Sequence, residues 1–188
     1  RAPYVEERSL LSKWLNDYGF NLDVILYVCK QFKKKTRFSF EKVDALLTKY
    51  FEMHLLSIME IKNFEEEKQS LYTLAKEVNK SIGVYYENLE GVVENYILKW
   101  INMGFDRQLL IEIASYCFKN SIRTLEGMDK TVLKFYKLGL ISLDAFNQYM
   151  GQIIADDNKI KQLLEVMGIN RGVSSYDRNN YKIWSEEW

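Results

Sequence analysis

Tryptophan stands at positions 14, 100 and 184, at spacings of 86 and 84, and each time it stands near the start of a similar phrase: KWLNDYGF at 13–20, KWINMGF at 99–105 and KIWSEEW at 182–188. Self-similarity at a fixed long period constrains a fold more than any local propensity, because each copy must be one packing unit. Other features keep a period near 85. Gly19–Phe20 matches Gly104–Phe105, LLSIMEI at 55–61 matches LISLDAF at 140–146, and Gly83 matches Gly168. Residues 1–18 align with 171–188 at an offset of 170 without a gap. The chain therefore reads as two complete copies and the first helix of a third.

Apolar residues recur at three- and four-residue steps, the period of an amphipathic helix. One proline and nine glycines in 188 residues are too few turn formers for a sandwich or barrel, so the fold class is all-α. The first copy predicts helices at 5–18, 22–35, 40–53 and 57–83. The second predicts 90–103, 107–120, 125–138 and 143–167, and a last helix follows at 174–188. Leu10, Leu11, Trp14 and Leu15 form the first apolar stripe; Leu163 and Met167 end the stripe of the second long helix. Glycines 19, 83, 104, 139 and 168 fall where helices stop, since glycine enters the left-handed region without a steric cost. Ser57 and Glu60 have capping-box spacing. His54, the one histidine, aligns with Gly139 and reads as a helix C-cap. The expected organisation is two four-helix bundles, 1–86 and 87–170, with a C-terminal helix at 171–188.

Composition excludes several function classes. There is no run of about 18 apolar residues, so no membrane span is expected. Cys29 and Cys117 lie in apolar helical patterns and read as reduced core residues. No P-loop, H-E-x-x-H or C-x-x-C is present, and ADDNK at 155–159 lacks calcium-loop alternation. The reading is therefore non-enzymatic, without cofactor or metal.

Formal net charge is zero, but the charge is uneven. Lys30, Lys33, Lys34, Lys35 and Arg37 form a basic run interleaved with Phe32, Phe38 and Phe40. Such a run suits backbone phosphates and exposed bases, and equally a solvated helix end beside aromatic core residues. In the second copy Lys130, Lys134 and Lys137 lie on one face of the third helix, with Lys119 and Arg123 upstream. That stripe could track phosphates or simply be solvated. Lysines outnumber arginines 19 to 7, which favours phosphate contact over base readout. FEEEK at 64–68 reads as a solvated acidic face.

The order W-hydrophobic-x-x-(x)-G-F, an apolar helix, a basic or polar loop, a third helix ending in an aromatic, then G-L-I-S-L-x-x-F, resembles the DnaD-like domain. This is the replication initiation and membrane attachment family of low-GC Gram-positive bacteria and their phages. The resemblance covers nearly the whole chain. The family's Y-x-x-x-I-x-x-x-W motif falls on Lys42, Leu46 and Tyr50 in the first copy, and on Met128, Val132 and Tyr136 in the second; the leading tyrosine is missing and Tyr replaces Trp. The resemblance implies a cytoplasmic, nucleoid-associated replication initiation (primosome) factor that binds DNA with low sequence specificity, self-associates and helps load the replicative helicase. The DNA-contact set it suggests, with the basic runs, is Lys33, Lys34, Lys35, Arg37, Lys42, Lys49, Tyr50, Lys119, Arg123, Lys130, Lys134, Tyr136 and Lys137. The alternative left open is a helical scaffold that holds helicase or initiator without touching DNA.

Overall fold

A computed structural model describes residues 4–35 and 37–187, and among them there are only helices and their connections. Helix α1 is Val5–Ser12 and runs on through a π-turn, Lys13–Asp17. Then come α2 (Leu22–Lys35), α3 (Phe40–Glu52) and α4 (Ile58–Ile82). Helix α5 is built from Leu89–Val92, a π-turn at Val93–Ile97 and Leu98–Asn102. It is followed by α6 (Arg107–Lys119), α7 (Leu125–Lys137), α8 (Leu143–Val166) and α9 (Ser175–Glu187). No described helix is long and apolar enough to cross a membrane.

Two compact units divide the chain, Arg1–Leu71 and Tyr72–Trp188. The division falls inside α4, whereas the sequence places the boundary at 86/87. The reason is the second half of α4: Leu74, Ala75, Val78 and Ile82 are all buried, Glu77 pairs with Arg107 at 2.6 Å, and Gly83 lies against the Phe118 ring.

In the first unit α1 and α2 pack on α3. The core holds Trp14, Phe20, Val24, Ile25, Val28, Val43, Leu47, Tyr50 and Ile61. Trp14 is fully buried, and its indole N–H donates to Asp44 Oδ1 at 2.8 Å. Lys13 Nζ reaches both oxygens of the same carboxylate, at 2.9 and 3.0 Å. Burial pushes the Asp44 pKa up, but the hydrogen bonds from Lys13 and Trp14 more than offset it, and the net shift is downward. A lowered folded pKa means that this stabilisation is complete above the ordinary carboxylate range. It disappears as pH falls through the lowered value.

The second unit contains the same arrangement. Trp100, also fully buried, donates to Asp129 Oδ1 at 2.8 Å, and Lys99 Nζ reaches that carboxylate at 2.7 and 2.8 Å. Helix α6 packs on α7 and α8, and α9 packs on α8.

The π-turns explain the uneven spacing of the tryptophans. Gly19 stands five positions after Trp14, but Gly104 stands four after Trp100. The extra residue is taken up in the first π-turn, where Tyr18 N–H bonds to the Lys13 carbonyl. Likewise Gly83 to Trp100 is one residue longer than Gly168 to Trp184, and the second π-turn lies in that interval. A π-turn also rotates the residues after it. Tyr18, just after the first π-turn, packs against the core and stacks on Phe51 at 4.4 Å, while Leu15, expected on the apolar stripe, is 40% exposed, much like its counterpart Ile101 at 37%. At the end of α8 the inward residue is Leu164, and the expected Leu163 and Met167 are exposed.

The caps follow the sequence reading. The Ser57 hydroxyl accepts from Glu60 N–H at 3.2 Å, and Glu60 accepts from Ser57 N–H at 2.9 Å. His54 and Gly139 have φ of 58° and 72°. After each, the next N–H closes back onto the helix, Leu55 to the Tyr50 carbonyl and Leu140 to the Phe135 carbonyl, both at 2.9 Å. A side chain in this conformation is strained where glycine is not. His54→Gly is thus expected to stabilise the chain by roughly 0.5–1 kcal/mol, and Gly139→His to destabilise it by about 1 kcal/mol or more. Urea unfolding of the two variants checks both signs.

Candidate nucleic-acid interface

The proposed contact residues divide between the two units. In the first, Lys33 and Lys34 are exposed in the last turn of α2, and Arg37 is exposed in the connection to α3. The Lys35 side chain lies outside the described residues. Lys42 and Lys49, seven residues apart, are exposed on one face of α3. The phenylalanines of the basic run have separate roles. Phe40 stacks on Trp14 at 6.3 Å between centroids, Phe32 packs against the core, and Phe38 sits edge-on to Phe40 at the surface.

Tyr50 does not belong to this surface. It is 3% exposed, and its hydroxyl donates to Glu65 Oε1 at 3.0 Å. Burial, followed by the Glu65 charge, raises its pKa well above the usual tyrosine range. The hydrogen-bonded turns also reset the register of the third helices. Tyr50 corresponds to Phe135, since each carbonyl receives the closing N–H of its turn. Asp44 corresponds to Asp129, Val43 to Met128 and Leu47 to Val132, all at the offset of 85. Tyr136 is one position further on and 48% exposed.

In the second unit Lys119, Lys130, Lys134 and Lys137 are exposed. Arg123 is exposed too, with its guanidinium held over the Phe118 ring, 3.7 Å from the centroid. That contact fixes the guanidinium at the end of α6.

On α7, Glu126 lies four residues before Lys130, a spacing suited to an ion pair. It instead accepts from the Tyr96 hydroxyl at 3.1 Å, while Asp129 is taken by Lys99 and Trp100. On α3, Glu41 accepts from the Ser39 hydroxyl and Asp44 is taken by Lys13 and Trp14. Asp44 and Asp129 are spent on the latches, while Glu41, Glu52 and Glu126 stay at the surface. Among the described residues no ion pair holds Lys33, Lys34, Arg37, Lys42, Lys49, Lys119, Lys130, Lys134 or Lys137. The aspartate latches were not legible as such in the sequence, although E-K-V-D and E-G-M-D stand at corresponding positions, 41–44 and 126–129.

A cleft of about 550 Å³ in the second unit lies beside Lys134, between Tyr116, Tyr149 and α9. Asp157 in its wall is paired with Arg178 at 2.7 Å, and hydrogen bonds from Arg178 hold that carboxylate below the ordinary range. Burial pushes up the pKa of both free thiols, Cys29 and Cys117. Among the described residues there is no group of three or more His, Cys, Asp or Glu that could hold a metal ion.

Comparisons with protein-family models, with curated proteins and with solved structures give no match for this chain.

The placement of Tyr50 has a direct test. Tyr50→Phe is expected to lower stability by about 1 kcal/mol, through loss of the bond to Glu65, and urea unfolding reads the change.

Proposed function

We propose that the chain is a tandem of two DnaD-like domains with the first helix of a third. In this reading it is a replication initiation, or primosome, protein that binds DNA through the phosphate backbone and assists helicase loading. The observation that carries the DNA part is the segregation of charge on α3 and α7. Asp44 and Asp129 turn inward to the latches, while Lys42, Lys49, Lys130, Lys134 and Lys137 of the same helices are exposed and held by no ion pair among the described residues. An uncompensated lysine face releases counterions when it meets a phosphate backbone. It carries little information about base sequence, in keeping with low specificity.

The repeat part is supported by the matched latches, the matched left-handed caps and the two π-turns that absorb the unequal spacings. Placement in a bacterial or phage replication system rests on the sequence resemblance alone. The second reading, a scaffold for helicase or initiator without DNA contact, draws on the zero net charge and on the burial of Tyr50.

Anisotropy with labelled single- and double-stranded DNA over a salt series separates the two. The DNA reading expects affinity to fall linearly with salt on logarithmic axes. It also expects Lys33/Lys34/Lys35→Glu or Lys130/Lys134/Lys137→Glu to reduce that slope by about 2–3. Flat anisotropy at low salt for the unaltered chain would leave only the scaffold.

A further inference from the structure

Beside the cleft described above, the second unit has another hollow, of about 440 Å³, formed by α6, α7 and the connection between them. Tyr116, Ile122 and Phe135 give it apolar walls, and Lys130 and Lys134 stand exposed at its edge. No carboxylate lines it, whereas the neighbouring cleft contains Asp156 and Asp157. Tyr116 and Lys134 line both. The Tyr116 ring is half-buried and sits edge-on to Phe135, 5.5 Å between centroids, so packing fixes its position. Among the described residues no hydrogen bond reaches its hydroxyl. Gly127 lets α7 come close to Ile122 of the connection: a Cβ there would lie 2.6 Å from Ile122 Cγ2.

An aromatic hollow edged by lysines and free of acids suits a flat ring that carries a phosphate. A nucleotide of a single strand is such a group. Its base can stack on an aromatic side chain whatever the sequence, while its phosphate meets a lysine. Lys130 and Lys134 are one helical turn apart, about 6 Å along the axis, so they can meet successive phosphates of one strand. In a duplex the bases are paired and stacked inside, and filling the hollow would require one to be extruded. We propose that the hollow between α6 and α7 takes an unstacked base of single-stranded DNA against Tyr116, with the flanking phosphates on Lys130 and Lys134. The second unit thereby prefers a single strand to a duplex. This inference rests on the DNA reading given above and adds to it the form of the DNA.

The first unit lacks both groups at the matching positions. At the offset of 85, Gln31 stands for Tyr116 and Ala45 for Lys130. The preference is therefore assigned to the second unit.

The test uses the full chain and fluorescence anisotropy, with labelled oligo-dT and a duplex of the same length. The single strand is expected to bind about tenfold more tightly, the size of one base–aromatic stack. Tyr116→Leu is expected to remove most of that advantage, with duplex affinity kept within twofold and the salt slope unaltered, since no phosphate contact is lost. Tyr116→Phe keeps the ring and is expected to bind as the unaltered chain does. Urea unfolding shows whether Tyr116→Leu is folded. A second measurement needs no variant: oligo-dT carrying 5-iododeoxyuridine, irradiated with the unaltered chain, is expected to cross-link at Tyr116, read by peptide mass spectrometry. Equal affinity for strand and duplex, equal losses of both in folded Tyr116→Leu, or cross-links only outside the hollow would each overturn the proposal. Binding of both DNA forms with no effect of Tyr116→Leu would sink this inference alone. No binding of either form at low salt would sink the DNA reading and this inference together.

Discussion

A buried indole N–H has one way to avoid a penalty of about 1–3 kcal/mol, and that is to find an acceptor. In both units the acceptor is a carboxylate on the third helix, roughly thirty residues along the chain. That bond ties the first helix of a unit to its third. The carboxylate then needs its own compensation, which the lysine beside the tryptophan supplies. The resulting triad fixes which face of the third helix is inward. It thereby also fixes which lysines remain outside. The candidate interface is in this sense a by-product of how the bundle closes: the aspartate of each third helix is used at the latch, and its lysines stay at the surface.

The same constraint accounts for the first π-turn. The tryptophan must reach its aspartate, and the glycine that ends the first helix must reach its turn. When the interval between them gains a residue, the register has to be made up inside the helix. A single π-turn does this without moving either anchor. Trp14 and Phe20 on either side keep their buried places, as Trp100 and Phe105 do without the extra residue.

Much of this was legible in the sequence. Helix positions, the Ser57 cap, the left-handed His54 and the matching of glycines follow from periodicity and from the steric demands of helix ends. The burial of Tyr50 was not, because a terminal aromatic on an amphipathic helix can face either way. The turn after it, with Leu55 bonded to its carbonyl, fixes its counterpart as Phe135, in step with the pairing of His54 and Gly139, and not as Tyr136. The division of the chain inside α4 was also hidden. A long helix has a continuous apolar stripe, and nothing in that stripe says which half belongs to which unit. The lysine patches were visible as charge, but their availability depends on where the neighbouring acids point, which is a tertiary fact.

The central claim is that one latch closes both units. A double-mutant cycle across each latch, Trp14→Phe with Asp44→Ala and Trp100→Phe with Asp129→Ala, tests it most directly by urea unfolding. The account predicts coupling of about 1 kcal/mol or more in both cycles, with similar size in the two units. Coupling near zero in either would contradict it, and would mean that the tryptophans are held by packing alone.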